Sequence, residues 1–134
     1  MSDSTYHIVF PSDYTRMREV QSQLVDAVAA HHFDDESIFA IKLALEEGLI
    51  NAIKHGNKLD PAKTVTVDAT VTDELAEFSI VDQGPGFVRV EVPDPTDEAN
   101  LEKSSGRGLL LIEAYMTEVK YHDNGRRLHM LRRK

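Results

Sequence analysis

Glu47, Asn51 and His55 recur at four-residue intervals in the run EEGLINAIKHGN. At about 100° per residue, that spacing stacks them in one narrow stripe of a helix. Their neighbours are almost all apolar, and burying such groups costs several kcal/mol unless something pairs with them. Two readings address the stripe. His55 and Asn57 could satisfy the last carbonyls of a helix end, which leaves Glu47 and Asn51 unexplained. A divalent cation would explain those two, because amide and carboxylate oxygens are hard ligands and Mg²⁺ keeps several of its waters. Glu47 could then polarise a water or hydroxyl as a general base. Glu46 points about 100° away and reads as structural.

Two further stretches carry chemistry. VDQGPGF (Val81 to Phe87) ends a strand-like run in a carboxylate and two glycines. Without side chains, Gly84 and Gly86 let a flat ligand approach the backbone, and Asp82 can accept from an exocyclic amine. The plain alternative is a simple turn. SSGRGLLLI (Ser104 to Ile112) is a glycine-rich entry to a helix. Such an entry offers free N–H groups and a positive dipole end to phosphate, and Arg107 adds a fork of donors. Its alternative is ordinary capping with a solvated arginine. The stretch is neither a Walker A loop nor a dinucleotide fingerprint.

The elements that must hold these residues emerge from periodicity. TYHIVF (Thr5 to Phe10) alternates as a strand. Ser12 or Asp13 then caps a helix reaching about His31, with Met17, Val20, Leu24, Val25, Val28 and Ala29 on its apolar face. The acids of DDES (Asp34 to Ser37) suit the positive end of a second helix. That helix runs to about His55 with Gly56 as its stop. It is apolar nearly all round, with Phe39, Leu43 and Ile50 forming a sector of their own, which implies burial. Thr64 to Val71 and Leu75 to Asp82 alternate about a turn at Thr72-Asp73-Glu74, an antiparallel hairpin. Residues 87–92 add some extended chain. A long irregular segment comes next, rich in proline, acids, serine and glycine, the kind that serves as a lid or is disordered. Gly108 to Met116 reads as a helix. EVKYHD and RRLHMLRR form a last hairpin about Asn124-Gly125.

Composition narrows the class. The chain has 134 residues, 41% hydrophobic and 28% charged, which fits one domain with one core, residues 1–134. Zero cysteines remove disulfides and thiolate sites. No apolar run is long enough for a membrane span, and MSDSTYHIVF is unlike a signal peptide. The expected location is the cytoplasm, with no membrane association. A formal charge of −8 argues against gripping nucleic acid. It suits a protein partner with a basic surface.

Taken in order, the motifs read E-x-x-x-N-A-x-x-H-G, D-x-G-x-G-F, then a lid ending G-R-G-L. This resembles the GHKL (Bergerat-fold) ATP-binding superfamily of gyrase-type topoisomerases, Hsp90, sensor histidine kinases and MutL. Within it, the chain is most similar to bacterial anti-sigma factor serine/threonine kinases, from Tyr6 to Arg133. The resemblance implies an α/β (α+β) two-layer sandwich, helices on one face of a mixed, mostly antiparallel sheet, with an ATP lid at about 88–107. It implies that Asn51 holds Mg²⁺ at the ATP phosphates and that Glu47 is the catalytic base. His55 and Gly56 would flank the nucleotide. Asp82 would bind the adenine amine, with Gly84, Gly86 and Phe87 shaping the base pocket. Ser105, Gly106, Arg107, Gly108 and Leu109 would wrap the phosphates. His129 stands where relatives often carry a threonine that reaches the adenine through water.

Two functions are compatible with this. One is a kinase that uses ATP and Mg²⁺ to phosphorylate an anti-sigma factor antagonist of the STAS type and that sequesters a sigma factor. The other is a nucleotide-gated protein-binding module with little or no kinase activity. The sequence shows neither the phosphoacceptor helix pair of a complete sensor kinase nor a topoisomerase transducer domain. The first helix and first strand could form a homodimer face, as in the relatives, or could simply pack on the sheet.

Overall fold

The computed structural model describes residues 2–84, 111–123 and 126–134. The alternating segments form five strands: β1 (Ser4–Pro11), β2 (Thr64–Val71), β3 (Leu75–Val81), β4 (Glu118–His122) and β5 (Arg127–Arg133). Their order in the sheet is β1-β2-β3-β5-β4. All four pairings are antiparallel, so no parallel pair stands among the described residues where a mixed sheet was expected. Val65, Val67, Ala69 and Val71 of β2 and Ala76, Phe78 and Ile80 of β3 are buried on one face. The period-2 alternation of a strand puts such residues on a single side. The Thr72 hydroxyl accepts from the amides of Glu74 and Leu75 and closes the β2–β3 turn.

Two helices cover the buried face. Asp13 caps α1 (Tyr14–Ala30), its carboxylate accepting from the Thr15 amide. The apolar face of α1 buries Met17, Val20, Leu24, Ala27 and Val28 in the molecule's own core. That core packing accounts for its amphipathic pattern. Ala29, expected on this face, is exposed. Gln21 is buried and donates to the Lys42 carbonyl, joining α1 to α2 (Asp35–Ile50). Asp34 caps α2 by accepting from the Ser37 amide, and these hydrogen bonds hold its carboxyl below the usual carboxylate range.

Burial of α2 is less complete than its composition implied. Leu45 and Leu49 are fully buried, but Phe39 is 58% exposed and Leu43 and Ile50 are only half-buried. The helix ends in a wider turn than expected: residues Asn51–Gly56 form a π-helical turn. It closes with the Asn57 amide donating to the Ala52 carbonyl, five residues back, at 2.8 Å. A short helix at 111–115 brings Ile112 and Met116 into the core.

At the end of the sheet where β1 begins, His31 is fully buried. Its Nδ1 pairs with Asp73 at 2.8 Å and its Nε2 with the Ser4 hydroxyl at 3.0 Å. The His31 carbonyl accepts from the Lys134 ammonium, which lies 5.1 Å from the centre of the Phe33 ring. No helix among the described residues is long and apolar enough to cross a membrane.

Gly48 sets how closely α2 lies on the sheet. A Cβ there would stand 2.9 Å from the Ile80 Cδ1 and 3.1 Å from a Leu128 methyl. Gly48→Leu is expected to destabilise the fold by about 1–3 kcal/mol through overpacking. A urea titration with a lowered midpoint and unchanged slope would show it.

Candidate functional site

The site is built where the end of α2 meets the end of β3. Glu47 lies half-buried one residue before Gly48, on the part of α2 that presses against the sheet. Burial raises its carboxyl above the usual range, and the neighbouring Glu46 carboxylate raises it further. Glu46 is thus coupled electrostatically to Glu47, which a purely structural role does not include. Desolvation and like charge both disfavour the ionised form, and a carboxylate raised in this way is a stronger proton acceptor.

Asn51 opens the π-turn. Its side-chain amide nitrogen is buried without a hydrogen-bond partner among the described residues. A buried polar group left unsatisfied costs about 1–3 kcal/mol, so this amide fits a ligand that pairs with it. Turning the amide by 180° would present its oxygen instead, with no change in the shape of the side chain. Among the described residues, no group of three or more His, Asp or Glu side chains could hold a metal. One oxygen ligand is enough for Mg²⁺, which retains waters and shares phosphate oxygens. The residues present thus fit a metal–phosphate group carried in by a nucleotide.

The π-turn breaks the expected alignment of His55. One residue inserted into the last turn rotates the chain beyond it, and His55 is exposed while Asn51 is half-buried. Partial desolvation of its ring, then the Lys54 ammonium beside it, lower its pKa, so the neutral imidazole is favoured.

Asp82 forms the opposite wall. Its amide donates to the Arg126 carbonyl at 2.9 Å, continuing the sheet one residue past β3. Its carboxylate accepts from the Gly84 amide at 2.8 Å. Burial raises its pKa, against the opposing effects of the Gly84 hydrogen bond, Arg126 and Lys63. The side chain lies on Gly56: a Cβ at that glycine would be 2.3 Å from the Asp82 Cγ. A Cβ at Gly84 would be only 1.9 Å from the Gly56 carbonyl oxygen. Only glycines permit this contact, so the first two motifs meet backbone to backbone. Gly86, Phe87, Ser105, Gly106, Arg107, Gly108, Leu109 and the lid at 88–107 lie outside the described residues.

His129 does not join the site. It pairs across β3 with Ser79, on the face opposite Phe78 and Ile80, and its Nε2 bonds the Glu77 carboxylate at 2.6 Å. The core-facing residues beside it on β5 are Leu128 and Met130. Strand parity places it on the outer face, so it cannot take the threonine's position at the base. Asn57, which the sequence offered only as a helix-end residue, is fully buried, and its side chain bonds Ser12, Thr64 and Gln83 rather than helix carbonyls. Its place directly after Gly56 was the available signal.

A family model described as a histidine kinase-like ATPase domain matches residues 10–132. The chain is 32% identical over 100 residues to the serine-protein kinase RsbW of Listeria monocytogenes serovar 1/2a, covering 69% of this chain and 64% of that one. The chain thus spans a little under two thirds of the length of that relative. It is 30% identical over 101 residues to the anti-sigma F factor of Clostridium perfringens strain 13, covering 71% of each. The crystal structure of the RsbU and RsbW domains of Rv1364c from Mycobacterium tuberculosis superposes with a TM-score of 0.65 at 21% identity. That match covers 97% of this chain and 32% of the other, and it shows the shared fold.

The raised Asp82 has a consequence for stability. An acid whose folded pKa is raised costs stability at pH values above it, and the cost fades as pH falls through the folded value towards the unfolded one. Asp82→Asn keeps an acceptor for Gly84 without the charge. Its thermal midpoint is expected to exceed that of the parent at pH 7, with the gain vanishing in acid. A midpoint difference independent of pH would contradict this.

Proposed function

The chain belongs to the histidine kinase-like ATPase family, and on that premise we propose that it is an ATP- and Mg²⁺-dependent serine/threonine kinase of the anti-sigma factor type. Its substrate is a small antagonist protein of the STAS type, and its second partner is a sigma factor that it sequesters. The names of its relatives, a serine-protein kinase and an anti-sigma F factor, support this reading. The observation that carries it is Glu47, a half-buried carboxylate with a raised pKa one turn before the Asn51 amide, which has no partner among the described residues. A pocket that only bound nucleotide would have no use for such a base.

The residues divide the work. Asn51 would hold the metal, whose charge supports transfer of the terminal phosphoryl group. Glu47 takes the proton of the attacking serine or threonine hydroxyl. Asp82 accepts from the adenine amine, with Gly84, Gly86 and Phe87 shaping the base pocket. His55 and Gly56 border the nucleotide. Ser105, Gly106, Arg107, Gly108 and Leu109 supply amides and a guanidinium to the phosphates.

Glu47→Ala is expected to slow transfer of labelled phosphate from ATP to the antagonist by ~10²-fold or more while nucleotide binding persists. If label never moves in the parent protein, yet ATP tightens the partner complex, the nucleotide-gated binding module is the correct function. Glu46→Gln removes one cause of the raised Glu47 pKa. The acid limb of the rate–pH profile should then move to lower pH, since the base ionises more readily. A limb that stays in place or moves upward would show that Glu47 is not the titrating group.

A further inference from the structure

Asn57 carries more hydrogen bonds than a helix terminus needs. It is 0% exposed, and both polar atoms of its side chain are engaged. The Nδ2 donates to the Ser12 hydroxyl and to the Thr64 carbonyl, each at 2.9 Å. The Oδ1 accepts from the Gln83 amide at 2.7 Å. Its backbone is bound as well, the amide donating to Ala52 and the carbonyl accepting from Asp60. A side chain whose only task was to end the π-turn could do so in water.

Its position in the chain matters more than the number of bonds. Asn57 comes directly after Gly56 and Gln83 directly before Gly84, the two glycines that touch. The Asn57–Gln83 bond is therefore a tie one residue removed from the closest backbone contact in the site. A second bond returns from the loop, the Thr64 amide donating to the Gln83 Oε1 at 2.7 Å. Ser12 anchors the far side, its hydroxyl donating to the Lys63 carbonyl at 2.9 Å. The node thus has a scaffold side, Ser12 and Thr64, and a site side, the Gln83 amide.

We propose that Asn57 is a positioning residue for nucleotide binding: by holding the Gln83 amide it fixes Asp82 and Gly84 against Gly56, at a set distance from Asn51 and Glu47. This rests on the reading of the cleft as an ATP site. Displacing a binding group by about 1 Å can cost two orders of magnitude in function, and no other side chain among the described hydrogen bonds reaches the Gln83 amide.

The test is calorimetric titration of the purified chain with ATP and Mg²⁺, beside the thermal midpoint of each variant. Ser12→Ala loosens the scaffold side and should lower the midpoint while leaving ATP affinity unchanged. Asn57→Ala should weaken ATP binding by ~10-fold or more. Asn57→Asp keeps an acceptor for Gln83 and should recover most of that affinity although it remains unstable. Gln83→Pro, at an exposed position, removes the amide that Asn57 holds and leaves Asn57 in place, so it should weaken binding as Asn57→Ala does; it carries the test if the Asn57 variants do not fold. Affinity that tracks stability across all four variants, or that none of them changes, would overturn the proposal. Asp82→Ala, which removes the acceptor altogether, separates the two levels. If it binds ATP like the parent, the ATP-site reading itself fails. If it loses binding while Asn57→Ala and Gln83→Pro keep it, only the positioning role falls.

Discussion

Gly56 and Gly84 touch backbone to backbone, and the meeting of the chain after α2 with the end of β3 depends on that contact. One motif ends a helix and the other ends a strand, with 27 residues between Gly56 and Gly84 along the chain. Any side chain at either position would push the two walls apart. The Asp82 carboxylate lies on the bare Gly56, so the pairing of these elements and the placement of a binding group are one event. Gly48 plays the same part a few residues earlier, letting α2 settle on Ile80 and Leu128.

The molecule divides its polar interactions between two ends. Where β1 begins, His31 is buried with both ring nitrogens paired, and Asp73 is held below the usual carboxylate range chiefly by that histidine. Where β3 ends, Glu47 and Asp82 are both raised by burial, and the Asn51 amide is left without a partner among the described residues. The buried histidine of the first end is fully paired, and the buried amide of the second is not. Groups perturbed and left unsatisfied in this way are typical of sites that await a ligand.

Much of this is legible in the sequence. Alternation in TVTVDATV and LAEFSIVD, with a threonine to close the turn, leaves little besides a hairpin. Asp13 and Asp34 cap helices where the preference for acceptors places them. The grouping of Glu47, Asn51 and Asp82 as one candidate site comes from motif order. The rest depends on contacts or local geometry that a regular period cannot express. The π-turn adds a residue to the last turn of a helix whose sequence reads as continuous α-helix, and so misplaces His55. Phe39 reads as buried because its helix is apolar all round, yet the fold leaves its side of that helix open. His129 matches the threonine by motif order, whereas its face is set by strand register. Asn57 cannot be read as a hub, because its partners lie 45 residues before it and 26 after it.

The strand order carries one more implication. β5 lies between β3 and β4 and is hydrogen-bonded to both, although β4 precedes it in the chain. Losing the single strand Arg127–Arg133 would therefore open two backbone ladders at once and leave the flanks of β3 and β4 bare. Unpaired strand edges are templates for association with other chains. The last strand thus guards the sheet against aggregation as well as completing it.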